Sequence, residues 1–149
     1  MPQTETIKRA RRDARAGKAP STQAGEFVRE EFDHIREGKH GARSSKQAIA
    51  IGLSKARRAG VDLPPPRTGS AKVRRQAESD SARGAGNGSR TPSPTRSRAA
   101  LKALKKEGSG AASHQAISRQ VHQSALKRSG TARSASARKG AATRKSSHD

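Results

Sequence analysis

The stretch AGEFVREEFDHIRE, residues 24–37, carries the most regular apolar pattern in the chain. Its apolar side chains recur at intervals of three, four and seven residues, which is the spacing of one face of an α-helix. The residues of this face are Ala24, Phe27, Val28, Phe32 and Ile35. The pattern predicts an amphipathic helix over about residues 22–37, which Gly38 ends. Persistent tertiary structure should form here, because both phenylalanines of the chain lie on this face.

Two further helices are predicted, one on either side of this stretch. Upstream, residues 4–16 (TETIKRARRDARA) combine good helix formers with Gly17 as a stop, and predict a short basic helix that needs a partner to persist. Downstream, Ser44 and Gln47 match a capping box that opens a helix over about residues 45–59. Its apolar face consists of Ala48, Ile49, Gly52, Leu53 and Ala56. Acidic side chains on the central helix should pair with both basic neighbours.

The chain changes character after the proline run at residues 64–66. Residues 1–66 hold 14 basic and 8 acidic residues, whereas residues 67–149 hold 19 and 4. Phe, Ile, Leu and Val together number only 16 of 149 residues, too few to offset the chain entropy of ordering the whole length. We therefore expect an all-α fold class, with a helical unit over residues 1–66. A largely disordered, basic, low-complexity tail over residues 67–149 is expected to follow, with transient helices at about 98–107 and 113–129.

The net charge of +21 on 149 residues indicates the class of partner. A surplus this large favours a polyanion, and nucleic acid is the most abundant one in a cell. The cations are spread along the chain, which suits many equivalent phosphate contacts rather than one pocket. The tail has no Phe, Tyr or Trp for base stacking, which favours duplex DNA over RNA. The candidate nucleic-acid-binding residues are Lys39, Arg43, Lys46, Arg57, Arg58, Arg96, Arg98, Lys102, Lys105, Lys106, Lys127, Arg128, Arg138, Lys139, Arg144 and Lys145.

Two features near the third helix allow a functional and a plain interpretation. The loop of residues 38–43 either seats a phosphate at free N–H groups or is a simple interhelical turn. The second and third helices resemble a helix-turn-helix in which Lys46, Gln47 and Arg57 face a DNA groove. Their connection of about seven residues is longer than the usual three or four, so sequence-specific readout is disfavoured.

The segment TPSPTRSR, Thr91–Arg98, alternates Ser-Pro with Arg. It suits a duplex backbone or a narrow minor groove, and it resembles the Ser-Pro-basic motifs of linker-histone tails. The alternative is a plain proline-rich hinge. Both interpretations place these residues on the surface.

Catalytic chemistry finds little support in the sequence. Glu30, Glu31 and His34 lie on adjacent helical turns and suggest a metal site or an acid–base pair, but a solvated helix face is the favoured interpretation. The five His and many Ser residues form no recognisable pair of nucleophile and base. The absence of Cys excludes disulfides and thiolate metal sites. No enzymatic activity, metal or cofactor is expected.

A resemblance to a known family covers much of the chain. The stretch EFVREEFDHIREGKHGARSSKQAIAIGLSKARRAGVDLPPP, within residues 24–66, resembles a family of small basic bacterial proteins with a domain of unknown function, often labelled DNA-binding or hypothetical. The segments SPTRSRAALKALKKE and ASHQAISRQ resemble the tail of that family. The resemblance implies a bacterial source and a module at residues 24–66, and it brings no established activity.

These observations predict a non-enzymatic, histone-like DNA-binding protein that is cytoplasmic and nucleoid-associated and acts through phosphate contacts. One alternative is an RNA- or ribosome-associated basic protein. Another is an adaptor that binds a protein partner through the apolar face of the helix at residues 22–37, and the N-terminal helices could also self-associate. No membrane partner is expected, because no basic helix has a broad apolar face. No signal-peptide core is expected either, because Ile7 is the only large apolar residue between Met1 and Phe27.

Overall fold

The computed structural model describes residues 2–86 and 93–146. The described chain is helical, which confirms the all-α class, and it forms two compact units, Met1–Ser113 and His114–Asp149. The helices of the described residues are α1 (Thr4–Arg15), α2 (Pro20–Arg36), α3 (Ser45–Arg58), α4 (Ala71–Gly84), α5 (Pro94–Lys105), a short 3-10 turn (Gly110–Ala112), α6 (His114–Leu126) and α7 (Gly130–Ser146).

The first three helices form the core of the first unit, and they agree closely with the predicted helices. α2 packs against both α1 and α3. Phe27 and Ile35 of α2 are fully buried, and burying one such side chain stabilises the fold by about 1.5–3 kcal/mol. The core cluster consists of Ala10, Ala24, Phe27, Ala56 and Val61, with Ile7, Leu53, Ala59 and Leu63 packed against it. The partner that α1 requires is therefore α2.

The start of α3 follows the predicted capping signal with one change. Ser44 is the N-cap residue, and its Oγ accepts a hydrogen bond from the Gln47 N–H at 3.2 Å. The side chain of Gln47 reaches back to the Arg43 N–H at 2.7 Å rather than to that of Ser44. Two otherwise free N–H groups at this helix end are thus satisfied by local side chains.

The end of α3 also follows its local sequence. Gly60 adopts φ of 95°, a left-handed conformation that glycine takes without steric cost. The N–H of Val61 donates to the Ala56 carbonyl at 3.1 Å, and the Val61 side chain is buried. Together these contacts form the glycine-terminated helix end that the sequence predicted.

α2 and α3 approach each other closely at Gly52. A Cβ at Gly52 would lie 2.7 Å from the Cα of Val28, so one backbone would have to move. We expect Gly52→Ala to lower the free energy of unfolding by up to about 2 kcal/mol, because overpacking costs about 1–3 kcal/mol and the gain in helix propensity is about 1 kcal/mol. Urea denaturation followed by circular dichroism measures this change. Gly25→Ala in α2 is the matched control, since a Cβ there meets nothing within 4 Å; it should stabilise the protein, and equal effects of the two substitutions would contradict the close approach.

The prediction of a largely disordered tail over residues 67–149 is wrong. Within the described part of that range the chain forms α4, α5, the 3-10 turn, α6 and α7. α4, for which no structure was expected, packs against α3 and buries Ala77 and Asp80. Asp80 accepts hydrogen bonds from the Ser54 hydroxyl at 2.7 Å and the Gln76 amide at 3.2 Å. Small and polar side chains therefore make this helix contact, which is why the apolar pattern gave no sign of it.

The segment after α4 also contributes to the first unit. The Gly41 N–H, in the loop between α2 and α3, donates to the Leu104 carbonyl at 2.9 Å. The Ser45 hydroxyl donates to the carbonyl of Ala111 at 2.5 Å, and Ala111 and Ala112 are both buried. The 3-10 turn thereby covers the start of α3.

The second unit consists of α6 and α7, neither of which has a buried residue. Ala, Arg, Lys and Gln are good helix formers, and no proline follows Pro94 to interrupt them. Local propensity thus explains helices where no apolar stripe predicts them. No helix in residues 2–86 and 93–146 has the length and apolar character needed to span a bilayer.

Candidate nucleic-acid interface and a buried polar cluster

Of the predicted nucleic-acid-binding residues, all except Arg57 have exposed side chains. Those of the first unit lie in the loop after α2, in α3 and along α5. In the second unit, Lys127 and Arg128 follow α6, and four others lie on α7. The residues on α7 are Arg138, Lys139, Arg144 and Lys145. The fold therefore leaves most of these cations open to solvent.

Arg57 has a different environment from the others. Its side chain is only 8% exposed, and it donates to the carbonyls of Leu63 at 3.2 Å and Pro64 at 3.1 Å. Desolvation lowers its pKa from the ordinary arginine value. Arg57 thus holds the proline-rich segment against the end of α3.

α5 presents a continuous cationic face. Arg98, Lys102 and Lys105 follow each other at intervals of four and three residues, so they share one side of the helix. Arg96 and Lys106 add to the positive charge of this segment. None of these five pairs with an acidic side chain in the part of the chain that the structure describes.

The structure brings two predicted residues from separate segments to one cleft. Lys39 lies in the loop after α2, and Lys105 lies at the end of α5. The cleft has a volume of about 790 Å³. Its lining residues are His34, Gly38, Lys39, His40, Lys55, Leu101 and Lys105. Three of these residues are lysines, of which Lys39 pairs with Glu37 at 2.7 Å and Lys55 pairs with Glu31 at 2.6 Å.

A second cationic face lies on α1, where the sequence predicted a basic helix but did not place its cations among the nucleic-acid-binding residues. Its residues are Lys8, Arg11, Arg12 and Arg15, at intervals of three, four and seven residues. The opposite face of α1 buries Thr6, Ala10 and Asp13, so the cations point to solvent. Lys8 pairs with Glu5 at 2.9 Å. The spacing of these cations in the sequence indicates that they share one face of a helix. Nothing in the sequence indicated that α1 is held in a fixed orientation, because Ile7 is its only large apolar residue.

α4 carries a third cationic face that was also overlooked. Lys72, Arg75 and Arg83 are exposed and lie along one side of α4, and Arg75 is opposite the buried Ala77 and Asp80. Lys72 and Arg75 line a shallow groove. Since α4 itself was not predicted, its face could not be predicted either.

Most of the groups needed by the helix-turn-helix and phosphate-loop interpretations have internal partners, although Lys46 is exposed. Gln47 caps α3, and two nitrogens of Arg57 are engaged with carbonyls. The N–H groups of Gly41 and Ala42 donate to main-chain carbonyls at the end of α5 and just beyond it. These contacts favour the simple interhelical turn.

The Ser-Pro segment lies only partly within the described residues. Thr91 and Pro92 fall outside them. Ser93 precedes α5, and Pro94 is its first residue, a position that proline favours. Arg96 is therefore part of a helix rather than of an extended strand of turns.

The interpretation of Glu30 and Glu31 as a solvated helix face is wrong. Glu30 is 3% exposed and Glu31 is 1% exposed. One oxygen of Glu31 accepts from Lys55 Nζ at 2.6 Å, and the other lies 2.9 Å from His40 Nε2. A carboxylate buried this deeply requires such partners, because an unpaired charge loses its hydration without compensation.

Glu30 and His34 form the adjoining part of this buried cluster. His34 Nε2 lies 3.5 Å from Glu30 Oε1 and 3.1 Å from the side-chain Nε2 of Gln3. The backbone N–H of Gln3 donates to Glu30 Oε1 at 2.8 Å, whereas Glu30 Oε2 has no hydrogen-bond partner within the described residues. Desolvation is the main reason why the pKa of His34 is lowered, although Glu30 acts in the opposite direction. The rings of His34 and His40 meet edge to face, with centroids 5.9 Å apart.

Comparison with known proteins gives one family. Residues 3–67 match the model of a family described as a family of unknown function, DUF6496. The matched range spans α1, α2, α3 and the proline-rich segment. It agrees with the predicted resemblance to a family without an assigned activity, but it begins before residue 24 and does not include the two tail segments. Comparisons with curated proteins and with solved structures found no match.

Proposed function

We propose that this protein binds nucleic acid, duplex DNA in particular, through many phosphate contacts that depend little on base sequence. One observation carries the proposal. Residues 114–146 hold eight Lys and Arg and no Asp or Glu, and neither of the two helices in this stretch has a buried residue. Their charge is not balanced by side chains of the same stretch, and phosphates are its natural complement because binding them releases condensed counter-ions.

The first unit supports the same function. Its buried or partly buried acids pair with cations close to the core, such as Glu26 with Arg9 and Glu31 with Lys55. They do not neutralise the cationic faces of α4 and α5. These two helices therefore offer basic surfaces to a phosphate backbone, and such contacts carry no base selectivity.

The burial of the aromatic rings favours binding to duplex DNA over binding to single strands through base stacking. The chain has two Phe and no Tyr or Trp. Phe27 is 1% exposed and Phe32 is 7% exposed, so neither ring is available to a base. Readers of single strands and of many RNAs rely on such stacking. Contacts with the phosphate backbone of the nucleic acid are then the principal source of affinity.

The adaptor alternative loses its surface in the folded protein. Phe27, Phe32 and Ile35, the three largest side chains on the apolar face of α2, are buried within the first unit. The same burial removes this face as a surface for self-association. A protein that binds DNA in this way would coat or bridge duplexes in the nucleoid and would need no catalytic centre.

The function is tested by gel shifts with two unrelated duplexes and a structured RNA of equal length, at several salt concentrations. We expect equal affinity for the two duplexes, weaker binding to RNA, and a linear fall of log K with log salt. The slope divided by about 0.9 gives the number of phosphate contacts. A strong preference for one duplex would contradict sequence independence, and tighter binding to RNA would favour the RNA-associated alternative. Failure to bind either polymer in dilute buffer would overturn the proposal.

A further inference from the structure

α2 and the loop after it bring one carboxylate and two imidazoles together. A carboxylate oxygen of Glu31 and one ring nitrogen each of His34 and His40 lie within 4.8 Å of one another. Glu31 and His34 are on consecutive positions of one helix face, three residues apart, and His40 follows the turn at Gly38. We propose that these three residues bind one divalent transition-metal ion of the zinc class.

The hydrogen bonding of His40 prepares its Nε2 atom as a ligand. His40 Nδ1 lies 3.0 Å from the Gly41 carbonyl, which can only accept, so Nδ1 carries the proton and donates. In a neutral ring Nε2 then bears a lone pair, and it faces a Glu31 oxygen at 2.9 Å. Two lone pairs at this distance repel each other unless a second proton or a cation lies between them. A backbone carbonyl on the far nitrogen is the usual support of a metal-binding histidine.

The carboxylate of Glu31 is held in a similar way. Its Oε2 accepts from Lys55 Nζ at 2.6 Å, which orients Oε1 toward the two rings. The charge of Lys55 does not forbid a cation here, because Glu30 provides a second buried carboxylate beside His34. Glu30 Oε2 has no hydrogen-bond partner within the described residues, so the cluster has unused negative charge. A nearby cation would compensate it.

The ligand set selects the class of metal. Two imidazole nitrogens and one carboxylate oxygen suit zinc and its neighbours, whereas Mg²⁺ and Ca²⁺ prefer oxygen ligands alone. Tetrahedral zinc with bonds of about 2.0–2.1 Å places its ligand atoms about 3.3 Å apart. Glu31 Oε1 lies 2.9 Å from His40 Nε2, and no two of the three ligand atoms are more than 4.8 Å apart. Side-chain adjustments of about 1 Å would therefore complete the site.

The site has an open side. His34 and His40 line the cleft described above, which leaves room for a fourth ligand such as water or an anion. The side chains of His34 and His40 are only 12% and 8% exposed, so the ion would be shielded while still reachable. Because the ligands join α2 to the following loop, binding should also stabilise the first unit.

The test uses the full-length protein after treatment with a chelator. Competition between the protein and a chromophoric chelator for Zn²⁺ measures affinity, and visible absorption of added Co²⁺ reports coordination. We expect one ion per chain, no comparable binding of Mg²⁺ or Ca²⁺, and a higher melting temperature with Zn²⁺. His34→Gln and His40→Gln should each weaken binding by at least about 100-fold, beyond the 10–100-fold typical of changes outside the ligand shell.

The double variant His114→Gln/His122→Gln is the matched control, since it removes two exposed imidazoles from α6 and should bind Zn²⁺ normally. Circular dichroism without metal establishes that His34→Gln, whose side chain lies at the edge of the cleft, retains its helices. Absence of Zn²⁺ uptake by the unsubstituted protein, or equal uptake by the His34 and His40 variants, would overturn the site. DNA binding is measured separately with chelator present, so either proposal can fail without the other.

Discussion

Replacing the basic residues of the second unit with Gln is expected to lower duplex DNA affinity about a thousandfold at 0.1 M salt. If about half of the eight cations contact phosphate at once, the slope of log K against log salt should become shallower by roughly 3 to 4. Gln keeps the helix propensity of Lys and Arg, so the loss would reflect charge. The substituted residues are Arg119, Lys127, Arg128, Arg133, Arg138, Lys139, Arg144 and Lys145. Gel shifts over a salt series measure both quantities.

The control for this variant changes neutral side chains of the same unit. Gln115, Ser118, Gln123 and Ser134 are exposed, and replacing them with Ala leaves the net charge unchanged. Affinity and salt slope should then stay as they were. An unchanged slope in the Gln variant would show that α6 and α7 do not contact phosphate, and the basic faces of the first unit would have to supply the binding.

Substitution is a cleaner test than truncation at the proline run. Removing residues 67–149 would also remove Asp80, which accepts from Ser54 of α3. It would uncover Ser45, which donates to Ala111. A loss of affinity after such a cut would combine lost charge with a damaged first unit.

The sequence predicted those parts of the fold that depend on apolar periodicity and local end signals. The stripe containing Phe27 and Ile35 identified α2, and both side chains are buried. Gly60 and Val61 identified the end of α3. These signals are local, so they are visible without knowledge of what each helix contacts.

The sequence could not predict contacts made by small or polar side chains. α4 docks through Ala77 and Asp80, and Asp80 in a Ser- and Arg-rich segment has no apolar pattern around it. Its burial depends on Ser54 and Arg58, which lie more than twenty residues earlier in the chain. Disorder of this region was predicted from composition alone, and composition carries no information about partners that are distant in the sequence.

The buried cluster was misjudged for a related reason. Glu30 and Glu31 have the same appearance in the sequence as solvated carboxylates on a helix. Glu31 is buried in contact with Lys55 of α3 and His40 of the loop, and neither residue is adjacent to Glu31 in the sequence. Arg57 is the converse case, because a cation expected at a DNA surface instead satisfies carbonyls of its own chain.

Glu31→Gln therefore separates the two views of this helix face. In a solvated face the substitution would change the free energy of unfolding by at most about 0.5 kcal/mol. In the buried cluster it leaves Lys55 and His40 without their shared anion, and a loss of about 3 kcal/mol is expected. The change in the free energy of unfolding is measured by urea denaturation and by hydrogen exchange of the α2 and α3 amides, both with chelator present. Neither measurement depends on Trp or Tyr fluorescence, and the chain has neither residue.

Asp33→Asn provides the matched comparison on the same helix. Asp33 has a side chain that is 46% exposed and a single pair with Arg36 at 3.4 Å, so its loss should cost about 0.5 kcal/mol or less. The contrast between neighbouring carboxylates isolates burial, since both substitutions remove one negative charge from α2. Equal and small effects would mean that Lys55 and His40 gain nothing from Glu31, and that the two carboxylates face the same solvent.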